Sequence, residues 1–456
     1  MKQSKNKPFN PGKIAEIFFY LFIFSLFFPI RYVFITSTTF KTGVFLDFTS
    51  ISLYLSDILL VITFLWLILP RSENQISRGK AFYQVIKGFW VLTIWLILDI
   101  IWHFKAFSSL NAFYFIKFLE FIVAYGTVAL LFQETRVKLL FFKLFAALGT
   151  VQAGLVLGQF LLQRPLGLSL LGEQQVFTWN QGIAKLVANG ITYVRGYGTF
   201  PHPNPLSAYL LATIFILIYL FTQAEQKGKK IVYSLMIAGT TLGLIATFSR
   251  AAFLALGLGL LIFFGYFLYK HLPKINFVPL GTILLSLVLA FIIFRPFLLI
   301  RATISDSASL ERVFYAKVGW QIIKANPVFG VGVGESVLHM EQYSPVKLWP
   351  WQIQPIHNYF ELFAADLGII GVLILLWIFW SHLWKLVLSI RYMVSKSPPL
   401  ATCYLLLATI LTCFLLLMLF DHYFYTLQQT QLLLWLLLGI IAAETKNPQK
   451  GDPAIS

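Results

Sequence analysis

Twelve stretches of predominantly apolar residues, each roughly the ~20 residues that a membrane-spanning helix needs, recur along the chain. They lie near residues 14–36, 52–70, 82–103, 110–133, 138–163, 205–222, 231–248, 250–270, 277–300, 357–381, 399–420 and 427–444. In hydrocarbon every backbone N–H and C=O must be satisfied within its own segment, and a helix does this. Of the 456 residues 58% are hydrophobic and only 12% charged, a balance that a soluble enzyme of this size cannot carry without exposing a sticky surface. The expected fold class is therefore all-α and polytopic, with about twelve transmembrane helices in the lipid bilayer. Residues 1–300 read as nine of these helices, 301–356 as a large loop containing an amphipathic helix, 357–445 as three more helices and 446–456 as a tail.

Lys and Arg in short loops set orientation. Here Lys2, Lys5, Lys7 and Lys13, then Arg71, Arg78 and Lys80, then Arg136, Lys138 and Lys143, then Lys227, Lys229 and Lys230 fall in alternate loops. Twelve spans place all of them, and both termini, in the cytoplasm. The first apolar run is longer than a signal-peptide core and reads as an uncleaved anchor. The opposite face receives two long loops, 164–204 and 301–356, with Arg164, Lys185, Arg195, Arg301, Arg312, Lys317, Lys324 and Lys347 against Glu173, Asp306, Glu311, Glu335 and Glu341. The net charge of +17 thus divides between the topology signal and an extracytoplasmic basin suited to an anionic ligand. No nucleic-acid partner is expected.

Within the second loop, Ser307 or Ser309 can cap a helix carrying Leu310, Val313, Ala316, Trp320 and Ile323 at helical spacing, ending before Asn326-Pro327. Arg312 stands in its first turn, where it opposes the helix dipole, so either a ligand or a surface pair with Glu311 explains it. The run from Phe329 to Glu335 alternates glycine with valine; it reads either as a turn or as a backbone approach to phosphate, but not as a dinucleotide fingerprint. His357 follows Pro355 at the outer mouth of the tenth span, as an interfacial hydrogen-bonding group or as a base able to act near neutrality. Arg250, in Phe248-Ser249-Arg250-Ala251, lies between two apolar helices without an acidic neighbour, which marks it as functional unless it snorkels to the interface. Arg195 either joins an anion site or belongs to a structural turn. Asp421 and His422 at an outward helix end read as packing at the interface or as groups that orient another residue. None of the histidines shows ligand spacing and no D-x-D pair occurs, so neither metal nor cofactor is expected and arginines are left to neutralise any phosphate.

From about residue 195 onward the chain resembles the O-antigen ligase and O-antigen polymerase-like family of membrane glycosyltransferases. The carriers are Arg195 to Phe200 with Asn204, Phe248 to Ala251, Glu311-Arg312, Asn326 to Gly332, His357-Asn358 with Glu361-Leu362, Leu367 to Gly371, and the stretch from Asp421 to Gly439. The resemblance implies a C-type glycosyltransferase-like bundle with a large extracytoplasmic loop, in a bacterial inner membrane. It also implies an undecaprenyl-pyrophosphate-linked glycan donor, and lipid A core, another glycan or a protein as acceptor. Residue by residue, Ser249-Arg250, Arg312 and His357-Asn358 match the family's motifs. His357 would be the general base, Arg250 and Arg312 the pyrophosphate clamp, and Arg195, Asn358 and Arg301 further binding residues, in a metal-independent inverting transfer. A polymerase or a protein O-oligosaccharyltransferase would differ only in acceptor. A lipid-linked glycan flippase, expected to show internal repeats, and a non-catalytic assembly protein are the readings from other classes.

Overall fold

A computed structural model describes residues 11–40, 45–68, 73–180, 182–269, 276–302, 307–394 and 396–445. The expected tail 446–456, the N-terminal lysines Lys2, Lys5 and Lys7, and Arg71 and Asp306 lie outside the described residues.

Helix α1 (Pro11–Phe27) stops short of the expected residue 36. Pro29 disfavours helix at the residue before it, and the β-formers that follow make strand β1 (Arg31–Phe34), antiparallel to β2 (Ile51–Tyr54). Then come α2 (Leu55–Ile68), α3 (Glu73–Ile86) running through a tight turn into α4 (Trp90–Trp102), α5 (Ser109–Leu131) and α6 (Thr135–Leu162). A second strand pair, β3 (Lys185–Ala188) and β4 (Ile191–Val194), closes on Asn189-Gly190, both at positive φ as a tight hairpin turn requires. The chain continues through α7 (Pro203–Gln223), α8 (Lys227–Ala246), α9 (Arg250–Tyr269) and α10 (Val278–Ala302). The large loop folds into α11 (Ser307–Ala325) and α12 (Ser336–Tyr343), before α13 (Tyr359–Met393), α14 (Pro398–Met418), the single turn α15 (Tyr423–Thr426) and α16 (Gln428–Thr445).

Each of the twelve apolar stretches carries a helix, and among the described residues eight helices are long and apolar enough to cross a membrane. The architecture is that of an α-helical membrane protein with two small strand pairs added. Its centre is α7, buried along nearly its whole length, against which α6, α8, α9 and α14 pack. Helix α10 exposes Leu285, Val288 and Ile292, a surface that only lipid would cover without cost. Hydrogen bonds between them gather the 195–204 loop, the 247–250 turn, α11, the 353–358 segment and the 419–427 segment at one end of the bundle.

Helix α11 forms where expected; of its apolar stripe Leu310, Val313 and Trp320 are more than half exposed, while Ile323 is buried, as are Tyr315, Val318 and Ile322. The glycine run is the turn and not the phosphate cradle, because its N–H groups are spent inside the protein. Gly330, Gly332 and Gly334 all adopt positive φ, and the main chain locks into a bend of α13 at Gly368 (φ 73°). Val331 N–H donates to the Ala365 carbonyl (2.9 Å) and Gly332 N–H to that of Asp366 (3.0 Å), while Ile369 N–H donates to the Pro327 carbonyl (2.9 Å). The Asp366 carboxylate accepts from Gly334 N–H (2.9 Å), Ser336 N–H (2.8 Å) and the Tyr425 hydroxyl (2.6 Å). Phe329 is sandwiched between Trp95 (4.8 Å, 3°) and Trp102 (4.9 Å, 16°).

Candidate active site

At the end of the bundle where these loops meet, residues of α7, α11 and the 353–358 segment gather around Asp421 and His422. Asn204, in the first turn of α7, donates its Nδ2 to Asp421 Oδ2 at 2.8 Å. Arg312, from the first turns of α11, places a guanidinium nitrogen 3.7 Å from the same oxygen. His422 N–H bonds Asp421 Oδ1 (2.9 Å), and the His422 ring stands edge-on to that of His357, with centroids 5.0 Å apart. Tyr315, one turn beyond Arg312, stacks on His357 at 5.4 Å and 19°.

His357 sits in the extended segment before α13 because Asn358 anchors the helix start. The Asn358 Oδ1 accepts from Phe360 N–H (3.0 Å) and Glu361 N–H (3.1 Å), and its Nδ2 donates to the Leu419 carbonyl (3.1 Å). Asn358 is therefore occupied as a cap, and it ties the start of α13 to the end of α14. The Nδ1 atom of His357 is buried and has no hydrogen-bond partner among the described residues. An unmet buried ring nitrogen of this kind is uncommon and calls for an explanation.

The arginines are arranged around the turn between α8 and α9. Arg195 is buried, donating Nε to the Thr247 carbonyl (2.6 Å) and a terminal nitrogen to Asn204 Oδ1 (2.8 Å). Arg301, at the C-terminal end of α10, approaches the next carbonyl, that of Phe248 (3.4 Å). Phe248 itself takes φ 51°, the left-handed region that a bulky residue rarely adopts, which turns those carbonyls toward the arginines. Arg250 opens α9 and donates to the Ser309 hydroxyl (2.9 Å), reaching the same α11 that carries Arg312. Arg195, Arg312 and His357 thus meet through Asn204 and Asp421, whereas Arg250 and Arg301 flank this group on the α9–α11 side.

Charge states follow from this geometry. Burial first, then the neighbouring Arg301 and Arg312, pulls the Arg195 guanidinium down to about 9, which leaves it protonated at neutral pH. Burial also lowers His357 below its usual value; Asp421 works against that shift and Arg312 adds to it, so the imidazole is neutral at pH 7. His202 and His422 are pushed down to about 3, burial being the largest cause for each. Burial works against the charged form of Asp421, but His422, His357 and Arg312 outweigh it and hold the carboxyl below its ordinary range. The result is one carboxylate, neutral imidazoles and several guanidinium groups.

Residues 234–376 match the family model described as O-antigen ligase. Over this stretch the chain is O-antigen ligase-like. No curated protein matches it. The matched stretch runs from α8 into α13 and supplies Arg250, Arg301, Arg312, His357 and Asn358, whereas Arg195, Asn204, Asp421 and His422 come from outside it. Of the two readings of Asp421 and His422, packing and the orienting of another group, the contacts favour the second. The fold makes Asp421 the common partner of Asn204 and Arg312, across more than 200 residues of sequence separation for Asn204. Tyr315 carried no signal beyond its place one turn from Arg312.

His357, Asp421 and His422 also bring three potential metal-ligating groups within 4.8 Å of one another. Asp421 is already held by Asn204 and Arg312, and His422 Nδ1 bonds the Thr426 hydroxyl at 2.7 Å. A cation here would have to displace Arg312 or sit against its charge, so the donor set fits an ion poorly.

Proposed function

We propose that this membrane protein is a glycosyltransferase that moves a glycan from an undecaprenyl-pyrophosphate carrier to an acceptor hydroxyl, in the manner the O-antigen ligase match implies. The observation that carries the reading is the neutral His357, whose buried Nδ1 has no hydrogen-bond partner among the described residues, set near Arg312 and Asp421 at one end of a membrane bundle.

A pyrophosphate leaving group carries several negative charges, and guanidinium groups match its oxygens in pairs while staying charged at any relevant pH. Arg250 and Arg312 are assigned to that role, with Arg301 beside them. Arg195, committed to Thr247 and Asn204, is assigned to positioning Asn204 and Asp421. The acceptor hydroxyl attacks the anomeric carbon and its proton passes to His357. The bond from that carbon to the pyrophosphate oxygen breaks, its electron pair leaves with the carrier, and the configuration inverts. Asp421 stabilises the cationic state of the site when His357 takes the proton. No bound metal takes part. The end bearing Lys13, Arg136, Lys138 and Lys227 lies opposite, so the charge rule puts the site on the extracytoplasmic face and both termini in the cytoplasm. Trp349 and Trp351, stacked at 5.3 Å, largely exposed and a few residues before His357, are suited to sugar faces.

The test is transfer by the purified protein from a synthetic undecaprenyl-pyrophosphate glycan to lipid A core, glycan and protein acceptors in EDTA. Transfer that survives the chelator and collapses in Arg312→Ala and His357→Ala supports the reading, and the successful acceptor separates ligase from polymerase from protein glycosylation. Variants as active as the parent, or no transfer to any acceptor, would overturn it.

A further inference from the structure

Helix α11 runs across the end of the bundle where the candidate active site lies. It starts beside α9, where Arg250 donates to the Ser309 hydroxyl (2.9 Å), and its far end is tied to α13, where Ile369 N–H donates to the Pro327 carbonyl (2.9 Å). Between these moorings its 19 residues cover ~28 Å at the rise of an α-helix.

The two sides of α11 differ in what they touch. Tyr315, Val318 and Ile322 are buried, Tyr315 stacks on His357, and a Cβ on Gly319 would stand 2.6 Å from Ile356 and 3.0 Å from Glu361. The opposite side carries Leu310, Val313, Lys317, Trp320 and Lys324, which are spaced by three or four residues and so form one stripe. All five are exposed, and the one acid of the helix, Glu311, lies off the stripe. Lys324 holds its ammonium 5.6 Å from the centre of the Trp320 ring.

Apolar side chains in such a row are a surface waiting for a cover. The chain enters α11 from the last turns of α10, which expose Leu299 and Ile300, and α13 beyond it exposes Ile369, Ile370 and Leu373. Both flanking helices are long and apolar enough to cross a membrane, so the stripe continues a surface that lipid covers on either side. Water would suit the lysines and leave Leu310, Val313 and Trp320 unexplained. A protein surface would suit the apolar groups and desolvate two ammonium groups, and a second copy packed stripe to stripe would set lysine against lysine. The boundary of a bilayer suits both, because an indole sits at headgroup level and a lysine lays its methylenes along apolar neighbours while its ammonium reaches phosphate.

We propose that α11 is seated in the lipid leaflet at the active-site end of the bundle, with Leu310, Val313 and Trp320 among the acyl chains and Lys317 and Lys324 on the phosphates of anionic phospholipids. The seat fixes the height of the candidate active site over the bilayer, since Arg312 and Tyr315 reach Asp421 and His357 from the same helix. It stands apart from the glycosyl-transfer reading.

A spin label attached through Leu310→Cys, Val313→Cys or Trp320→Cys tests the seat by power-saturation EPR, on full-length protein in vesicles of phosphatidylethanolamine and phosphatidylglycerol. Cys403 and Cys413 are buried, and the parent protein measures whatever label they take up. Collisions with oxygen, which concentrates in lipid, are expected to exceed those with a water-soluble nickel chelate at all three positions, and the order to reverse for Glu311→Cys. Nickel in excess along the stripe would place it in water, shielding from both reagents would place it against protein, and oxygen in excess for Glu311→Cys as well would sink the whole helix in lipid; each overturns the proposal. Should one labelled variant fail to fold, the other two decide. For Val313→Cys the oxygen excess should shrink when phosphatidylcholine replaces phosphatidylglycerol, and shrink alike when Lys317→Gln and Lys324→Gln are added. A ratio that neither change moves would reject the part given to anionic headgroups.

Discussion

Two buried polar regions of this molecule contrast in how their groups are paired. Around the bend of α13, the Asp366 carboxylate accepts three hydrogen bonds, and the glycine run spends its N–H groups on α13 and on Asp99. At the arginine and histidine cluster, Asn204 and Arg312 hold Asp421, and a buried nitrogen of His357 has no partner among the described residues. A fully paired network rigidifies a fold. A buried base without such a partner calls for an explanation, which the proposed function supplies as a ligand. Both regions were marked in the sequence by motifs of equal prominence, and only the pairing separates them.

The contrast breaks first at Gly368. A Cβ there would stand 1.8 Å from the Val328 carbonyl oxygen, with φ at 73°, so Gly368→Ala should abolish the folded protein, as seen by loss of a monodisperse peak and of a thermal transition. If that variant folds with an unchanged Tm, the clamp is not structural. His357→Ala should do the opposite, keeping Tm within a few degrees while transfer falls about 10²- to 10⁴-fold, the range for losing a general base. Next in size, Arg312→Lys keeps the charge but loses the fork and should cost roughly 10²-fold in kcat. A Lys variant of parental activity would reduce Arg312 to a point charge.

Acidity acts on the histidines of the cluster. His202, His357 and His422 all titrate lower in the folded chain than their ordinary 6.5. Below pH 6.5 the unfolded chain binds protons that the folded chain does not, so the stability they contribute is full above that pH and is lost progressively as pH falls. Tm should therefore decline on acidification below 6.5, and a His357→Gln, His422→Gln double variant should flatten the decline. Transfer should persist to a pH lower than that of an ordinary histidine base, since His357 stays neutral there. The smallest expected effect belongs to Asn358→Ala, which removes a helix cap worth about 1 kcal/mol and should lower kcat by loosening His357 without touching donor KM.

Much of the candidate site was legible because rare residues in apolar surroundings stand out. Arg250 and His357 sit beside spans where a charge is costly. Arg312 reads from the sequence as a first-turn residue opposed to the helix dipole, but α11 begins at Ser307 and puts it in the second turn. Asp421 and His422 could be read as orienting another group, but which group stayed hidden, since the bond from Asn204 crosses more than 200 positions. The alternation of glycines was equally plain, yet it fits a turn, a phosphate cradle and a close helix contact alike. Asn358 read as a binding group because its motif neighbour is His357, and its backbone partners exist only once α13 has a first turn.

Sequence alone determined that the chain crosses a membrane as a set of helices and roughly where each one lies, because hydrophobic length and backbone self-pairing are local quantities. The tertiary structure decided which ionisable groups meet, which face of α11 turns inward and which motif is structural. Those outcomes depend on the helix order and on the bend at Gly368, which bring together residues that no local pattern relates.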